Sequence, residues 1–296
     1  MTRVIKIKTS VHEMAGESAK KRRLTKVMLH IILMLISIIM LYPLLWMFAS
    51  SFRSNGEIMN NLSVIPESLN PKNYISGWHA LKVSFGTFAW NSLLISVLTV
   101  IGNIMTCSVT AFAFTRLNFW GKKFWFALML GTLMIPQHAI LIPQYIMFLK
   151  MNWIDTYLPL VVPKFLAADA FFIFLMVQFF RQIPRELDEA AVMDGCGPWR
   201  IYFKIMLPLS LPVLATTAIF SFIWTWGDFF GPLVYLNDIN SYTIQLGLRS
   251  FVDSTGVSDW VGLFAMSVLS ILPVFLIFLF CQRLLIEGVA TTGMKR

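Results

Sequence analysis

The stretch from Arg181 to Pro208, RQIPRELDEAAVMDGCGPWRIYFKIMLP, is polar, with eight charged residues. The segments before and after it are apolar and long enough to cross a membrane. Pro184 suits the first turn of a helix, and Gly195 suits the left-handed residue that ends one. The stretch therefore predicts two short helices around a tight turn, placed between two membrane spans.

The second of these helices can open at Pro198, and Pro208 prevents it from continuing far. At about nine residues, or roughly 14 Å, it is too short to span a bilayer. Its apolar residues are spaced i, i+3, i+4 and i+7, which predicts one apolar stripe formed by Trp199, Tyr202, Phe203 and Met206. Two environments suit such a stripe: the lipid headgroups, or a groove on a soluble partner protein.

The same stretch resembles the EAA loop of ATP-binding-cassette importer permeases. It carries Glu-Ala-Ala at 189–191, Asp-Gly at 194–195 and Ile-x-Leu-Pro at 205–208. Cys196 stands where the family usually has alanine, which exchanges one small residue for another. Gly197 stands where serine is common, so the second helix lacks its best N-cap at a cost on the order of a few tenths of a kcal/mol.

The composition is that of a membrane protein. The 296 residues are 57% hydrophobic and 13% charged, whereas soluble domains carry roughly 25% charged residues. The three cysteines form no CxxC and pair with none of the four histidines, so neither a disulfide framework nor a metal site is predicted. A phosphate loop of the GxxxxGK[ST] type, an HExxH motif and a Ser-His-Asp set are all lacking. We therefore expect a chain that is not an enzyme, with no catalytic residues and no bound cofactor.

Six apolar segments predict six spans. They lie near 27–48, 90–114, 124–143, 160–180, 209–228 and 261–281. The remaining divisions are a leader at 1–26, an extracytoplasmic loop at 49–88 and a tail at 283–296, with a transmembrane domain at 89–282. Lys164 and Asp169 interrupt the fourth span. Asp169 either pairs with Lys164, lies at a water-filled cavity, or shows that the helix begins later than the pattern suggests.

The basic residues predict the orientation of the chain. All but six of the 24 Lys and Arg residues fall in the leader, at 115–123, at 181–208 or in the tail. The six exceptions are Arg53, Lys72, Lys82, Lys150, Lys164 and Arg249. This bias predicts that both termini and the 181–208 loop are cytoplasmic, in the compartment that contains ATP. The net charge of +9 is then a topology signal, and no nucleic-acid partner is expected.

The resemblance extends over roughly residues 49–296 and is nearest to the sugar-importer branch of the family. Its further pieces are Asn91-Ser92, Ala111 to Arg116, Met134-Ile135-Pro136, Asn152 to Thr156, Trp226 to Leu233, Gly247 to Phe251, Gln282-Arg283 and Glu287-Gly288. Gly227 departs from a Trp-Asn-Asp signature. The resemblance implies an all-α type I importer permease in the cytoplasmic membrane. It also implies a second permease, two ATPases that use ATP and Mg²⁺, and an extracytoplasmic sugar-binding protein.

The family's mechanism assigns roles to the loop. The loop would dock into a cleft on one ATPase, and closure of the ATPases on ATP would swing the spans from inward-facing to outward-facing. The residues assigned to this joint are Glu186, Glu189, Ala190, Ala191, Asp194, Gly195, Trp199, Tyr202, Phe203 and Pro208. Glu189 would supply a polar contact, and Ala190 and Ala191 would allow close helix approach.

Polar groups inside the spans are candidates for the transport pathway, because such groups are costly in lipid. The candidates are Asn91, Asn103, Gln137, Trp226 and Asp228. Asn103 shares one face of its span with Thr106 and Thr110, so hydrogen bonding between helices is the favoured interpretation. For Trp226 and Asp228, an aromatic belt at the membrane interface is the alternative to contact with a sugar.

The expected function is therefore uptake of a sugar or oligosaccharide. The nearest alternative is the same machine with another small solute, such as a polyol or glycerol phosphate. An ion-coupled secondary carrier is a more distant alternative. It is disfavoured because no internal repeat is visible and acids within the spans are few.

Overall fold

Helices account for all the regular structure in the part of the chain that the computed structural model describes, which is residues 2–60, 63, 65–67, 69–252 and 259–293. Side chains are described from 25 to 282 within these ranges. The leader's basic cluster at 20–23, Arg283, the Glu287-Gly288 pair and the last two basic residues lie outside the described side chains.

In chain order, the α-helices are α1 (Thr2–Ser50), α2 (Asn55–Asn60), α3 (Lys72–His79), α4 (Phe85–Arg116), α5 (Lys122–Thr132), α6 (Gln137–Lys150), α7 (Leu158–Val161), α8 (Ala170–Phe180), α9 (Glu186–Met193), α10 (Pro198–Ile201), α11 (Leu207–Leu209), α12 (Leu211–Trp226), α13 (Phe230–Tyr235), α14 (Ile244–Arg249) and α15 (Trp260–Gly293). Turns of 3-10 helix occupy Val162–Leu166 and Ile239–Ser241, and a π-helical turn occupies Tyr202–Met206.

The chain forms two compact units. The first, Met1–Pro71, consists of α1, α2 and the segments after them. Between Val27 and Phe48 the large apolar side chains of α1 are almost all exposed, so lipid is the environment that can cover them. The same helix continues back through the predicted leader to Thr2.

In the second unit, Lys72–Arg296, the long helix α4 is central. It packs against α8, α12 and α14, and small polar residues on its buried faces let these helices approach closely. One buried apolar cluster lies between α4, α8 and the 181–208 loop. A second joins α4 to α12, α14 and α15.

Four helices are long and apolar enough to cross a membrane: Thr25–Ser50, Phe85–Arg116, Leu158–Phe180 and Trp260–Gln282. Two bent pairs pass the same test together, Lys122–Thr132 with Gln137–Lys150 and Pro198–Leu209 with Leu211–Trp226. The described residues thus hold four spans, or six if each bent pair is one span. The all-α polytopic fold class is confirmed, while the side on which the termini lie stays a prediction.

The segment predicted as one third span is not a straight helix. Helices α5 and α6 meet at 100° across a break of four residues. Pro136 supplies the reason, because a proline disfavours helical backbone at the preceding residue and itself has no N–H to donate. Pro136 occupies the N-cap position of α6 and so opens the second arm of the bend.

The fourth span is broken where the charges interrupt it. Helix α7 passes into the 3-10 turn, Ala167 adopts a left-handed conformation with φ of 55°, and α8 begins only at Ala170. The Lys164 Nζ lies 2.9 and 3.0 Å from the two carboxylate oxygens of Asp169. Two of the three alternatives for Asp169 are therefore correct together: it pairs with Lys164, and the helix begins after it.

Candidate functional site

Helix α9 of the 181–208 loop ends in a Schellman motif. Gly195 has φ of 76°, and its N–H donates to the carbonyl of Val192 at 2.9 Å. The N–H of Cys196 donates to the carbonyl of Ala191, also at 2.9 Å. These two bonds satisfy carbonyls that the end of a helix otherwise leaves without partners. The predicted left-handed Gly195 is confirmed.

The second loop helix opens as predicted but does not stay an α-helix. Gly197 is extended, and Pro198 takes the first helical position of α10. The chain then passes through the π turn Tyr202–Met206 into α11. A π turn accommodates one more residue than an α turn. Residues four apart therefore lie more nearly above one another than they would in an α-helix.

This geometry divides the predicted apolar stripe into two pairs. Tyr202 and Met206 are buried in the chain's own core, whereas the side chains of Trp199 and Phe203 are 63% and 60% exposed. The rings of the exposed pair stack with centroids 6.1 Å apart. The four residues thus do not share one exposed face, although the Tyr202 ring still contacts the rings of Trp199 and Phe203.

The loop is attached to α4 at two levels. At one level the hydroxyl groups of Tyr202 and Ser108 lie 2.7 Å apart in the core. At the other, Arg116 donates through Nη2 to the carbonyl of Ile183 at 2.7 Å, and its Nε lies 2.7 Å from Oδ2 of Asp188. Sequence reasoning gave no such role to Ser108 or Arg116, since a basic residue at the end of a span indicates only its topology.

The Arg116–Asp188 ion pair is largely shielded from solvent. The two side chains are 7% and 16% exposed. Burial raises the pKa of the Asp188 carboxyl, and the positive charges of Arg116 and Arg185 oppose that rise. The free-energy cost of removing two charges from water can exceed the stabilisation from their mutual attraction. The pair therefore fixes position more than it adds stability.

Most of the predicted joint residues lie on the surface of the loop. Those exposed are Glu186, Glu189, Ala190, Asp194, Gly195, Trp199, Phe203 and Pro208. Ala191, like Tyr202, is buried in the chain's own core, so the close approach it allows is to this chain. Val192 and Met193 are further exposed apolar side chains of the same loop.

Three of the predicted pathway residues make contacts between segments of the chain. The amide of Asn91 donates to the carbonyls of Asn240 and Tyr242 at 2.8 and 3.0 Å. The Asn103 amide donates to Ser221 Oγ at 2.9 Å, which confirms hydrogen bonding between helices. The indole of Trp226, expected near the membrane interface, is buried and donates to the Ser270 carbonyl at 2.9 Å. These side chains position α4, α12 and α15.

The other two candidates lie closer to exposed surface. Gln137 is exposed at the start of α6, and the ring of its neighbour His138 meets Phe230 edge-on at 5.0 Å. Asp228 is half-buried, and its Oδ1 accepts a hydrogen bond from the Gly231 N–H at 3.2 Å. The exposed tryptophan of α12 is Trp224 rather than Trp226. Among the described residues, no three His, Cys, Asp or Glu side chains come together as a metal site.

A helical chain with several spans, and a polar helical loop fixed to its longest described unbroken span, defines a class of protein: the membrane-embedded subunits of transport systems. Residues 104–290 match the family described as the binding-protein-dependent transport system inner membrane component, and the chain belongs to that family. It is thus a component of the inner membrane. The family assignment decides against the ion-coupled carrier.

Relatives with assigned functions resemble this chain along most of their length. The probable ABC transporter permease protein YurM of Bacillus subtilis is 32% identical, over 92% of this chain and 88% of the relative. The arabinooligosaccharides transport system permease protein AraQ of Halalkalibacterium halodurans is 34% identical, over 88% and 93%. The sn-glycerol-3-phosphate transport system permease protein UgpE of Brucella abortus is 33% identical, over 92% and 99%.

A solved structure shares the fold. It is the crystal structure of a bacterial ABC transporter involved in the import of the acidic polysaccharide alginate. The match has a TM-score of 0.78 and 23% identity and covers 88% of this chain and 96% of the other. This likeness supports the type I importer permease fold.

Proposed function

We propose that this chain is one permease subunit of an ATP-binding-cassette importer for a sugar or oligosaccharide. Its complex would hold a second, similar permease, two ATPases that use ATP and Mg²⁺, and an extracytoplasmic binding protein. The basic-residue bias supports a cytoplasmic position for both termini and the 181–208 loop. Relatives named for arabinooligosaccharide and diacetylchitobiose transport support a saccharide cargo.

The observation that carries the coupling role is the exposed aromatic pair, Trp199 and Phe203, on a loop attached to α4. Large aromatic side chains that remain exposed on a loop with exposed Val192 and Met193 suit a groove on another protein better than water. An ATPase that receives this surface can move α4 through the buried contacts of Tyr202 and Arg116. Hydrolysis of ATP in the partner would in this way reposition the spans.

The test is ATP-dependent uptake of a labelled sugar panel by cells that carry Glu189→Lys. Glu189 is exposed on α9 of the same loop, so the reversal should abolish uptake while the protein stays in the membrane. Lys123→Glu is the matched control, a reversal of an exposed charge outside the loop. Unchanged uptake with Glu189→Lys would show that the loop does not couple transport to ATP.

Glycerol phosphate is the second candidate cargo, because relatives named for its transport are 33% identical to this chain. The ligand of the accompanying binding protein decides between the two. Binding of a saccharide without competition from glycerol 3-phosphate supports the first cargo. Binding of glycerol 3-phosphate without competition from saccharides supports the second.

A further inference from the structure

The break in the fourth span lies within Leu158–Phe180, a segment long and apolar enough to cross a membrane. The Thr106 hydroxyl on α4 donates to the Lys164 carbonyl at 2.9 Å, which fixes the level of the break. Thr106 precedes the end of α4 at Arg116 by ten residues, or about 15 Å of helix. With Arg116 predicted at the cytoplasmic edge of the bilayer, that is half of the roughly 30 Å hydrocarbon thickness. Non-helical backbone at this depth is tolerated only against protein or a water-filled cavity.

Charged groups at the break remain partly exposed. The paired side chains of Lys164 and Asp169 are 29% and 24% exposed. Asp228, beyond the end of α12, also interacts electrostatically with Lys164. Charges at the depth of Lys164 and Asp169 are very unfavourable against lipid. The exposed side of this pair therefore faces either a water-filled path or another subunit.

An exposed aromatic surface includes residues that directly follow the Lys164–Asp169 pair in the chain. The indole of Trp224 is 50% exposed and lies 5.2 Å from the rings of both Phe171 and Phe172, which follow Asp169 closely in the chain. Trp224 lies in the last turn of α12, and Asp228 follows two residues after the end of that helix. A flat aromatic face beside carboxylate acceptors suits a sugar, whose ring has an apolar face and a rim of hydroxyl groups.

We propose that Trp224, Lys164, Asp169 and Asp228 form a contact site within the membrane for a neutral, polyhydroxylated solute, and that their charges disfavour anionic solutes. The inference rests on the proposed function and narrows its cargo. The indole stacks on the sugar ring, the carboxylates accept hydrogen bonds from hydroxyl groups, and the ammonium donates one. Two carboxylates against one ammonium leave an excess negative charge, which repels a phosphate or a uronate.

The experiment uses the complete importer in proteoliposomes, with its ATPases, its binding protein and internal ATP. Uptake of a neutral oligosaccharide and hydrolysis of ATP are measured together for wild type, Trp224→Ala and the control Trp90→Ala. Trp90 is a similarly exposed tryptophan of α4 outside the site. Loss of one stacking contact should lower uptake about tenfold with Trp224→Ala. ATP hydrolysis should be retained, and Trp90→Ala should change neither quantity.

A second measurement tests the charges. The ratio of uptake of a carboxylate-bearing oligosaccharide to that of its neutral counterpart is compared between wild type and Asp228→Asn. The binding protein is the same in both, so a changed ratio arises in this chain. We expect the ratio to rise with Asp228→Asn.

The outcomes separate this inference from the proposed function. Uptake by Trp224→Ala equal to wild type overturns the site. So does loss of the ATPases or of the second permease from the purified Trp224→Ala complex, because the surface would then be a subunit interface. An unchanged ratio with Asp228→Asn overturns the role of the charges. A wild-type importer without ATP-driven uptake overturns the proposed function itself.

Discussion

Two glycines, Gly195 and Gly197, occupy the same turn of the loop in different conformations. Gly195 has φ of 76°, where a side chain is strained, whereas Gly197 has φ of −76°. An added Cβ would meet open space at both positions. Any difference between substitutions at the two sites therefore reports the backbone conformation alone.

We expect Gly195→Ala to destabilise the end of α9 by about 1 kcal/mol, since a non-glycine residue resists the left-handed conformation. Uptake should fall with it, because the Schellman motif sets the path from α9 to the exposed Trp199. Gly197→Ala is the control and should leave both properties nearly unchanged. Thermal unfolding in detergent and uptake in cells check the pair. Equal effects of the two substitutions would show that the turn does not depend on its left-handed residue.

The Arg116–Asp188 pair should respond unequally to the loss of its members. Arg116→Gln leaves the buried carboxylate of Asp188 without the charge of Arg116 and removes the hydrogen bond to Ile183. We therefore expect the free energy of unfolding to fall by about 2–4 kcal/mol. Asp188→Asn keeps a neutral acceptor and the Arg116 bond to Ile183, but it leaves the buried guanidinium without a counter-charge, so we expect a smaller loss of about 1–2 kcal/mol. Thermal unfolding of the two variants distinguishes these results. Equal losses would mean that the Arg116 bond to Ile183 adds no stability beyond the ion pair.

The same carboxyl predicts a pH dependence. Because the pKa of Asp188 is raised, the folded protein holds a proton between the ordinary and the raised pKa that the unfolded chain has released. The free energy of unfolding should therefore fall as pH rises through that interval. Asp188→Asn should remove this component, which unfolding of wild type and variant across the interval can measure.

Two neighbouring tryptophans of α12 show which property of a single residue the sequence does not predict, namely whether its side chain is buried. Trp224 and Trp226 lie two positions apart on α12, and only the second matched the family's signature. In the structure the second is buried against α15 and the first is exposed. Which of the two faces a neighbour depends on how the helices pack, and α12 alone carries no information on that.

Among the elements, the contact of α14 with α4 depends on a missing side chain. A Cβ at Gly247 would clash with the ring of Phe88, which is fully buried and has no room to move. We expect Gly247→Ala to destabilise the second unit by about 1–3 kcal/mol, as overpacking does. Gly131→Ala in α5 is the control, because its Cβ would meet open space and alanine favours a helix by up to about 1 kcal/mol. Thermal unfolding checks both, and equal stability of the two variants would contradict the close approach.

The elements themselves were predicted better than their irregularities. Apolar runs located the spans, and glycine and proline located both helices of the loop. The π turn at Tyr202–Met206 was missed because no residue type marks it and because periodicity assumes one spacing throughout. The 100° bend before α6 was missed for another reason: Pro136 indicates a break, but its angle is set by what the two arms pack against.

For the whole molecule, the family was recognised from one loop, because the spacing of its motif residues is long and specific. Orientation rests on the distribution of charge and can be tested with natural thiols. Cys196 lies half-buried in the loop, Cys281 is also half-buried and Cys107 is buried. In a Cys281→Ser background, a membrane-impermeant maleimide should label Cys196 in inside-out vesicles and not in intact cells. Lys150→Cys, predicted to lie outside, is the control with the opposite pattern. Labelling of Cys196 from outside would reverse the topology.

The attachment of the loop at two levels of α4 has a mechanical consequence. Ser108 and Arg116 are eight residues apart, so the contacts through Tyr202 and Asp188 are separated by about 12 Å along the helix axis. A body held at one point can pivot freely there, but one held at two points transmits torque. A push on the exposed rings of Trp199 and Phe203 would then turn α4, and with it the helices packed on α4, instead of merely swinging the loop.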